Sequence, residues 1–198
     1  MLTLNSSEYM QTQSRYHKTK DQLLEENSYV EASKTNPAKF EYLYNKYHEQ
    51  IFRYVYQRMD DKDLAFDVTS QVFMKALTNI HKYQFRGVPF ASWLYRIAKS
   101  EVYQSFKEGN KSRTVNIETT HVYEIIEELD ENENEGLTTQ VIELIGELPE
   151  RDLQLIEMRY FEQRSYKEIG EIMDMTENNA KVRAYRILKK LQKQFRME

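Results

Sequence analysis

The chain has no cysteine. Disulfides, thiolate nucleophiles and the usual zinc sites are therefore excluded. Glycine and proline are scarce, five and three in 198 residues, which argues against a turn-rich all-β domain and for long helices. No apolar run approaches the ~18–20 residues needed to cross a bilayer, so no membrane insertion is expected. The start, MLTLNSSEYMQTQ, lacks the basic and apolar stretches of a signal peptide, and a cytoplasmic location is expected. There is no glycine-rich phosphate loop. His17, His48, His81 and His121 lie too far apart to make an i,i+3 or i,i+4 ligand pair. Carboxylates are plentiful but are expected on solvated helix faces. No catalytic constellation, metal or cofactor follows, and the chain does not read as an enzyme.

The composition is that of an ordinary soluble protein, 40% hydrophobic and 30% charged. Net charge is -4, which at first sight argues against a nucleic-acid partner. That total hides an asymmetry. Residues 109–146 hold two basic and nine acidic side chains, whereas Lys181 to Arg196 holds seven basic residues and no acidic one. The two ends must be read separately.

Residues 1–36 are polar and weakly periodic, and read as a loosely ordered extension. Asn36-Pro37 marks a helix start, with Asn as N-cap and Pro at the first helical position. Phe40, Leu43, Tyr44, Tyr47, Ile51, Tyr54 and Val55 follow at helical spacing. Asp60-Asp61 breaks that helix, and Leu64, Ala65, Val68, Val72, Ala76, Leu77 and Ile80 stripe a second. A loop from Tyr83 to Val88 leads to Pro89 and a third helix, with Phe90, Trp93, Leu94, Ile97 and Ala98 inward. Residues 37–108 thus read as a compact helical domain.

Residues 109–136 read as an acidic linker. From Glu118 to Glu135 there are eight acidic residues and no Lys or Arg, and the run Asp130-Glu131-Asn132-Glu133-Asn134-Glu135-Gly136 cannot bury a core and should be mobile. Residues 137–198 read as a second helical domain. Leu137, Val141, Leu144, Ile145 and Leu148 make one helix, stopped by Pro149, and Leu153, Ile156 and Met158 make another. Ser165-Tyr166-Lys167-Glu168 is a capping box that opens a short helix. Asp174-Met175 turns the chain, Thr176 caps, and a long basic helix runs to the end. This is a helix-turn-helix pattern, whose second helix enters the DNA major groove. Gly170 sits mid-helix, where it costs about 1 kcal/mol relative to Ala, so close approach of the recognition helix is expected there.

On a helical wheel Ala180, Ala184, Ile187, Leu188, Leu191 and Phe195 share about 100° of arc and should bury. Lys181, Arg186, Lys189, Lys193 and Arg196 spread over the other side, with Arg183 and Lys190 on the flank. Such a face is either solvated charge or a phosphate-binding surface. Its single sign over four turns favours nucleic acid.

The stretch LPERDLQLIEMRYFEQRSYKEIGEIMDMTENNAKVRAYRILKKL resembles the −35-reading domain of bacterial RNA polymerase sigma factors. Leu148-Pro149-Glu150-Arg151, Ser165-Tyr166-Lys167-Glu168-Ile169, and Lys181, Arg183 and Arg186 carry the resemblance. FEYLYNKYHEQIFRYVYQRM, DKDLAFDVTSQVFMKAL and FASWLYRIAKSEVYQSFK resemble the domain that binds polymerase and opens the −10 element. Two such domains joined by a linker are the layout of the extracytoplasmic-function (ECF) type of the sigma-70 family. The expected fold is all-α: two small helical domains joined by an acidic flexible linker, the second a helix-turn-helix domain.

The resemblance implies core RNA polymerase and promoter DNA as partners, with an anti-sigma factor as a further candidate. It assigns −35 reading to Asn178, Asn179, Lys181, Val182, Arg183, Tyr185, Arg186 and Lys189. It assigns −10 recognition and melting to Tyr83, Phe85, Arg86, Gly87, Tyr95, Arg96, Lys99 and Tyr103, and polymerase binding to Asp67, Ser70, Gln71 and Phe73. Ser70 and Gln71 depart from the family's usual Gln and acid. Phe85 either stacks an extruded base or plugs the small core, and Tyr95 and Tyr103 either line the strand's path or pack against the first helix. The linker either mimics RNA in the polymerase or only solubilises. Two other classes stay open: a sigma mimic that sequesters an anti-sigma factor, and a stand-alone helix-turn-helix regulator.

Overall fold

Thr19 opens the first helix, α1 (Lys20–Thr35), with a capping box: its hydroxyl accepts from the Gln22 N–H, and the Gln22 side chain accepts from the Thr19 N–H. This helix appears in a computed structural model that describes residues 18–59, 61–109, 122, 125, 126 and 135–195. The loosely ordered extension expected for residues 1–36 is therefore wrong from Lys20 onward. Amphipathic periodicity is weak there because α1 buries one apolar side chain, Val30, beside two polar ones, Glu26 and Ser33.

Glu26 explains why a polar helix docks. Its carboxylate accepts from Tyr47 Oη at 2.6 Å and from the Phe90 backbone N–H at 2.7 Å, and it pairs with Lys18 and Lys46 at 2.5 and 3.0 Å. Phe90 begins a helix, so this carboxylate satisfies one of the orphan donors of a helix N-terminus. Long-range partners of this kind leave no periodicity in the sequence.

Asn36 caps as expected, its side chain accepting from Ala38 N–H with Pro37 at the first position. It opens a short 3-10 turn, Pro37–Phe40, that runs into α2 (Glu41–Tyr56). Asp61 caps α3 (Lys62–Thr78), accepting from the N–H groups of Asp63 and Leu64. After the loop comes α4 (Phe90–Gly109). Helices α2, α3 and α4 pack on one another around Leu43, Ile51, Tyr54, Val72, Phe90 and Leu94, all essentially out of water.

Most of the expected acidic linker lies outside the described residues. Within it Val122, Ile125 and Ile126 are helical and fully buried. Their i, i+3, i+4 spacing is one helix face, and the flexible linker expected over 109–136 is helical and packed at these three residues.

The C-terminal domain starts with α5 (Glu135–Gly146) and α6 (Glu150–Ile156), with Pro149 before α6. The chain continues as a π-helical turn, Glu157–Phe161, in which the Glu162 N–H reaches the Glu157 carbonyl at 2.9 Å. Ser165 and Glu168 form the expected capping box at the start of α7 (Tyr166–Met173). Asp174 takes a left-handed conformation, φ 57°, and ends it. Thr176 then caps α8 (Glu177–Phe195), accepting from Asn179 N–H. Gly170 explains itself: a Cβ there would stand 2.7 Å from the Met175 carbonyl oxygen and 3.3 Å from the Glu177 nitrogen. The turn closes only because that Cβ is absent. The two domains touch directly, α4 lying against α7. No described helix is long and apolar enough to cross a membrane.

Burial alone would push the Glu26 carboxyl up. The hydrogen bonds from Lys18, Tyr47 and the Phe90 N–H, with the Lys18 charge, outweigh it and hold the group below the ordinary carboxylate range. A carboxyl depressed on folding stabilises the fold at neutral pH, and that contribution is lost as pH falls through its folded value. Glu26→Gln should therefore lower the urea midpoint at pH 7, by a stability change on the order of 3 kcal/mol. Its stability should also fall less steeply than the wild type's as pH drops below about 4.3. Equal midpoints at pH 7 would show that Glu26 is not what fastens α1.

Candidate nucleic-acid interface

The capped start of α8 presents the first surface. Ala180, Ala184, Ile187 and Leu191 bury against α7 and α6, and Leu188 is half-buried. That fixes which way the rest of the helix faces. Asn178, Asn179, Lys181, Arg186 and Lys189 are exposed. So are Val182, at 39%, and Tyr185, at 62%. Seven of the eight residues expected to read DNA thus share the outward side of one helix. The eighth, Arg183, is half-buried, and its Nε donates to Asp152 of α6 at 2.6 Å. The side chain of Phe195 lies outside the described residues.

The second surface surrounds the loop before α4. Gly87 sits at φ +69°, where any side chain is strained. Arg86, Arg96 and Tyr103 are exposed, and Phe85 and Lys99 are half-buried. A cavity of about 570 Å³ runs past Lys75, Lys82, Arg86, Trp93 and Arg96. Two of the expected residues are not on the surface. Tyr83 is buried edge-on against Phe90 and Trp93, since the short loop folds its ring back over the start of α4. Tyr95 is fully buried, edge-on to Tyr54, and its hydroxyl donates to Glu162 and accepts from Gln50. Burial first, and the Glu162 carboxylate second, push the Tyr95 hydroxyl far above the usual phenol range, so it stays a donor. Burial, with Arg151 and Arg96 nearby, pushes the Lys99 ammonium down.

On α3, Asp67, Ser70 and Gln71 are exposed, with the Ser70 hydroxyl folded back onto the Phe66 carbonyl at 2.9 Å. Phe73 is not with them. It is buried at 4% exposure, edge-on to Tyr44 and Phe40, and belongs to the core.

Two family models match this chain, in the order of its two domains. Sigma-70 region 2 matches residues 43–112, and sigma-70 region 4 matches residues 138–191. The chain belongs to the sigma-70 family and is a sigma factor of the ECF type. It is 26% identical over 151 residues to the ECF RNA polymerase sigma factor BldN of Streptomyces coelicolor, a match covering 75% of this chain and 57% of that one. It is 25% identical over 155 residues to the ECF RNA polymerase sigma factor SigM of Bacillus subtilis, covering 75% and 90%. The solved structure of CnrH in complex with the cytosolic domain of CnrY shares the fold, at TM-score 0.54 and 15% identity, covering 86% of this chain and 96% of that one. The two other classes left open by the sequence are not favoured.

Several carboxylates of this sigma factor contradict the expectation of solvated faces. Glu26, Glu101, Glu157, Glu162 and Glu168 are all buried. Glu157 pairs with Arg58 at 2.6 Å across the domains. Sequence reasoning missed this pair, although a signal existed: Glu157 stands inside the apolar run Leu155-Ile156-Glu157-Met158.

The Arg183–Asp152 pair sets a measurable reserve of charge on the region 4 surface. A partly exposed pair holds by only about 0.2–1 kcal/mol, so Asp152→Asn should leave the fold intact. It should free Arg183 for one more phosphate. The slope of log affinity for duplex DNA against log salt should steepen by about one. An unchanged slope would mean that Arg183 already reaches phosphate with Asp152 in place.

Proposed function

We propose that this sigma factor reads the −35 element with the outward face of α8 and opens the −10 element with the surface around Arg86, Gly87, Arg96 and Tyr103. It docks on core RNA polymerase through Asp67, Ser70 and Gln71 of α3. Catalysis belongs to the polymerase; this chain supplies promoter specificity, working in the cytoplasm. An anti-sigma factor is a further partner of the same surfaces.

The observation that carries the reading is the polarity of α8. One side packs against α6 and α7. The other holds Lys181, Arg186 and Lys189, all exposed, with Val182 among them. Cations on such a face neutralise phosphates whatever the sequence, and so set affinity. Val182 lies in the first turns after the Thr176 cap, the part of a recognition helix that reaches base edges. Its methyl groups suit a thymine methyl in the major groove, and Arg186 suits a guanine or a phosphate. On the other domain, single-stranded bases stack on aromatic rings while cations follow the backbone. Tyr103, 70% exposed, is the ring best placed for this, and Arg86 and Arg96 are the cations.

Run-off transcription tests the whole reading. Core polymerase with this protein should initiate on the promoter of its own operon, and core polymerase alone should not. Val182→Ser should change the preferred base at one −35 position without altering the salt dependence. Arg186→Ala should cost about 1–3 kcal/mol of duplex binding if it pairs with guanine. A −35 library that yields the same preferences for wild type and Val182→Ser would remove the methyl contact. No initiation with any core polymerase would overturn the reading.

A further inference from the structure

We infer that α1 positions the strand-opening loop: Glu26 and Lys34, about two helical turns apart, clasp the two ends of the loop and so set the place of Arg86 and Gly87 within it. The inference rests on the assignment of that loop to the −10 element made above.

Helix α1 precedes residues 43–112, which the region 2 model matches. It packs on two short turns, Pro37–Phe40 and Ile80–Lys82. The loop that follows the second turn runs from Tyr83 to Pro89, and α1 bonds the backbone at each end of it. At the first end the Lys34 ammonium donates to the Tyr83 carbonyl at 3.3 Å. At the other the Glu26 carboxylate accepts from the Phe90 N–H at 2.7 Å. The two clasps stand about 12 Å apart along the helix axis, so one helix fixes the separation of the loop's ends.

Each clasp matches the group it meets. A carbonyl past the end of a helical turn takes a cation, and an orphan N–H at the start of α4 takes an anion. Both side chains are themselves held. Glu26 is bonded by Tyr47, Lys18 and Lys46. Lys34 is half-buried and pairs with Glu31 at 2.8 Å.

The rings at the loop's ends carry the order inward. Tyr83 stands edge-on to Phe90 and Trp93, with 5.1 and 5.4 Å between centroids, and Phe90 is edge-on to Phe40. Holding the Tyr83 backbone therefore holds the aromatic base on which the loop stands. Leu23 and Leu24 of α1 line a cleft of about 380 Å³ with Phe85, Gly87 and Val88. In mid-loop Arg86 pairs with Glu171 at 3.3 Å, and the Gly87 carbonyl accepts from Lys167 at 2.8 Å, both from α7. The clasps lie within the N-terminal domain and do not depend on those contacts. A loop ordered in advance binds a flexible strand more tightly, because its own ordering no longer opposes association.

The test uses holoenzyme assembled from core polymerase and the full chain. Two anisotropy probes come from the promoter of its own operon, a labelled single-stranded −10 oligonucleotide and a labelled −35 duplex. Lys34→Met removes the donor and should lower single-strand affinity about fivefold, leaving duplex affinity within about twofold. Lys34→Arg still donates to the carbonyl and should stay within about twofold of wild type on both probes. Glu26→Gln, measured where its circular dichroism is that of the wild type, should lower single-strand affinity at least as far as Lys34→Met. Salt separates positioning from contact. The slope of log single-strand affinity against log salt should be unchanged in Lys34→Met, whereas loss of a lysine bound to phosphate would lower it by about 0.7. In the free chain, Trp93 is the one tryptophan and reports on the loop. Its emission should move to longer wavelength in Lys34→Met, with the helical circular dichroism unchanged. Wild-type single-strand affinity in Lys34→Met overturns the proposal, as do an equal loss on the duplex probe, a slope lowered by about 0.7 and an unmoved Trp93 emission. Arg86→Ala separates the two failures. If it lowers single-strand affinity and Lys34→Met does not, only the clasp is wrong; if neither does, the loop is not the −10 surface.

Discussion

The buried pair of Arg58 and Glu157 is the contact on which the arrangement of the two domains rests. Neither side chain has water to solvate it, so each needs the other. Removing one partner leaves the other as an uncompensated buried charge, so either single substitution should weaken the contact between the domains. The π turn makes the pairing possible. A five-residue turn brings residues five apart nearly into line, and Glu157 and Glu162 both reach the N-terminal domain as a result. In a regular helix they would point to different sides. π turns often mark functional positions, and this one starts at Glu157 and ends beside Glu162, two of the three carboxylates that pair across the domains.

The same constraint treats the two proposed DNA surfaces differently. The outward face of α8 owes its direction to four small or branched side chains packed on α6 and α7, and nothing covers its exposed cations in the structure described. The face around Arg86 is different. It is shaped by a loop that owes its turn to Gly87, and the neighbouring domain lies against it. One surface is uncovered in the structure described, and the other lies against the neighbouring domain.

The sequence made the helices of both domains legible, because each buries one stripe against neighbours of its own domain. Asn36-Pro37, Asp61, Ser165 and Thr176 punctuate them with caps that are local and therefore readable. Gly170 was readable for the same reason, since the turn it meets is only five residues on. What was not legible depends on distant residues. Glu26 docks α1 through Tyr47 and Phe90, and no spacing announces that. Phe73, Tyr83 and Tyr95 carry side chains as suited to a core as to a partner, and only packing decides. The buried Val122, Ile125 and Ile126 were visible as a helical triplet but were masked by the acidic residues around them.

The central claim is that the buried Arg58–Glu157 pair holds region 4 against region 2. The absence of native cysteine makes this directly measurable. Cysteines introduced at the exposed positions Lys39 and Lys190 can carry a donor and an acceptor dye, one on each domain. The account predicts high energy transfer in the wild-type protein and a large drop in Glu157→Gln, which leaves Arg58 buried without its partner. The same transfer efficiency in wild type and in folded Glu157→Gln would contradict it.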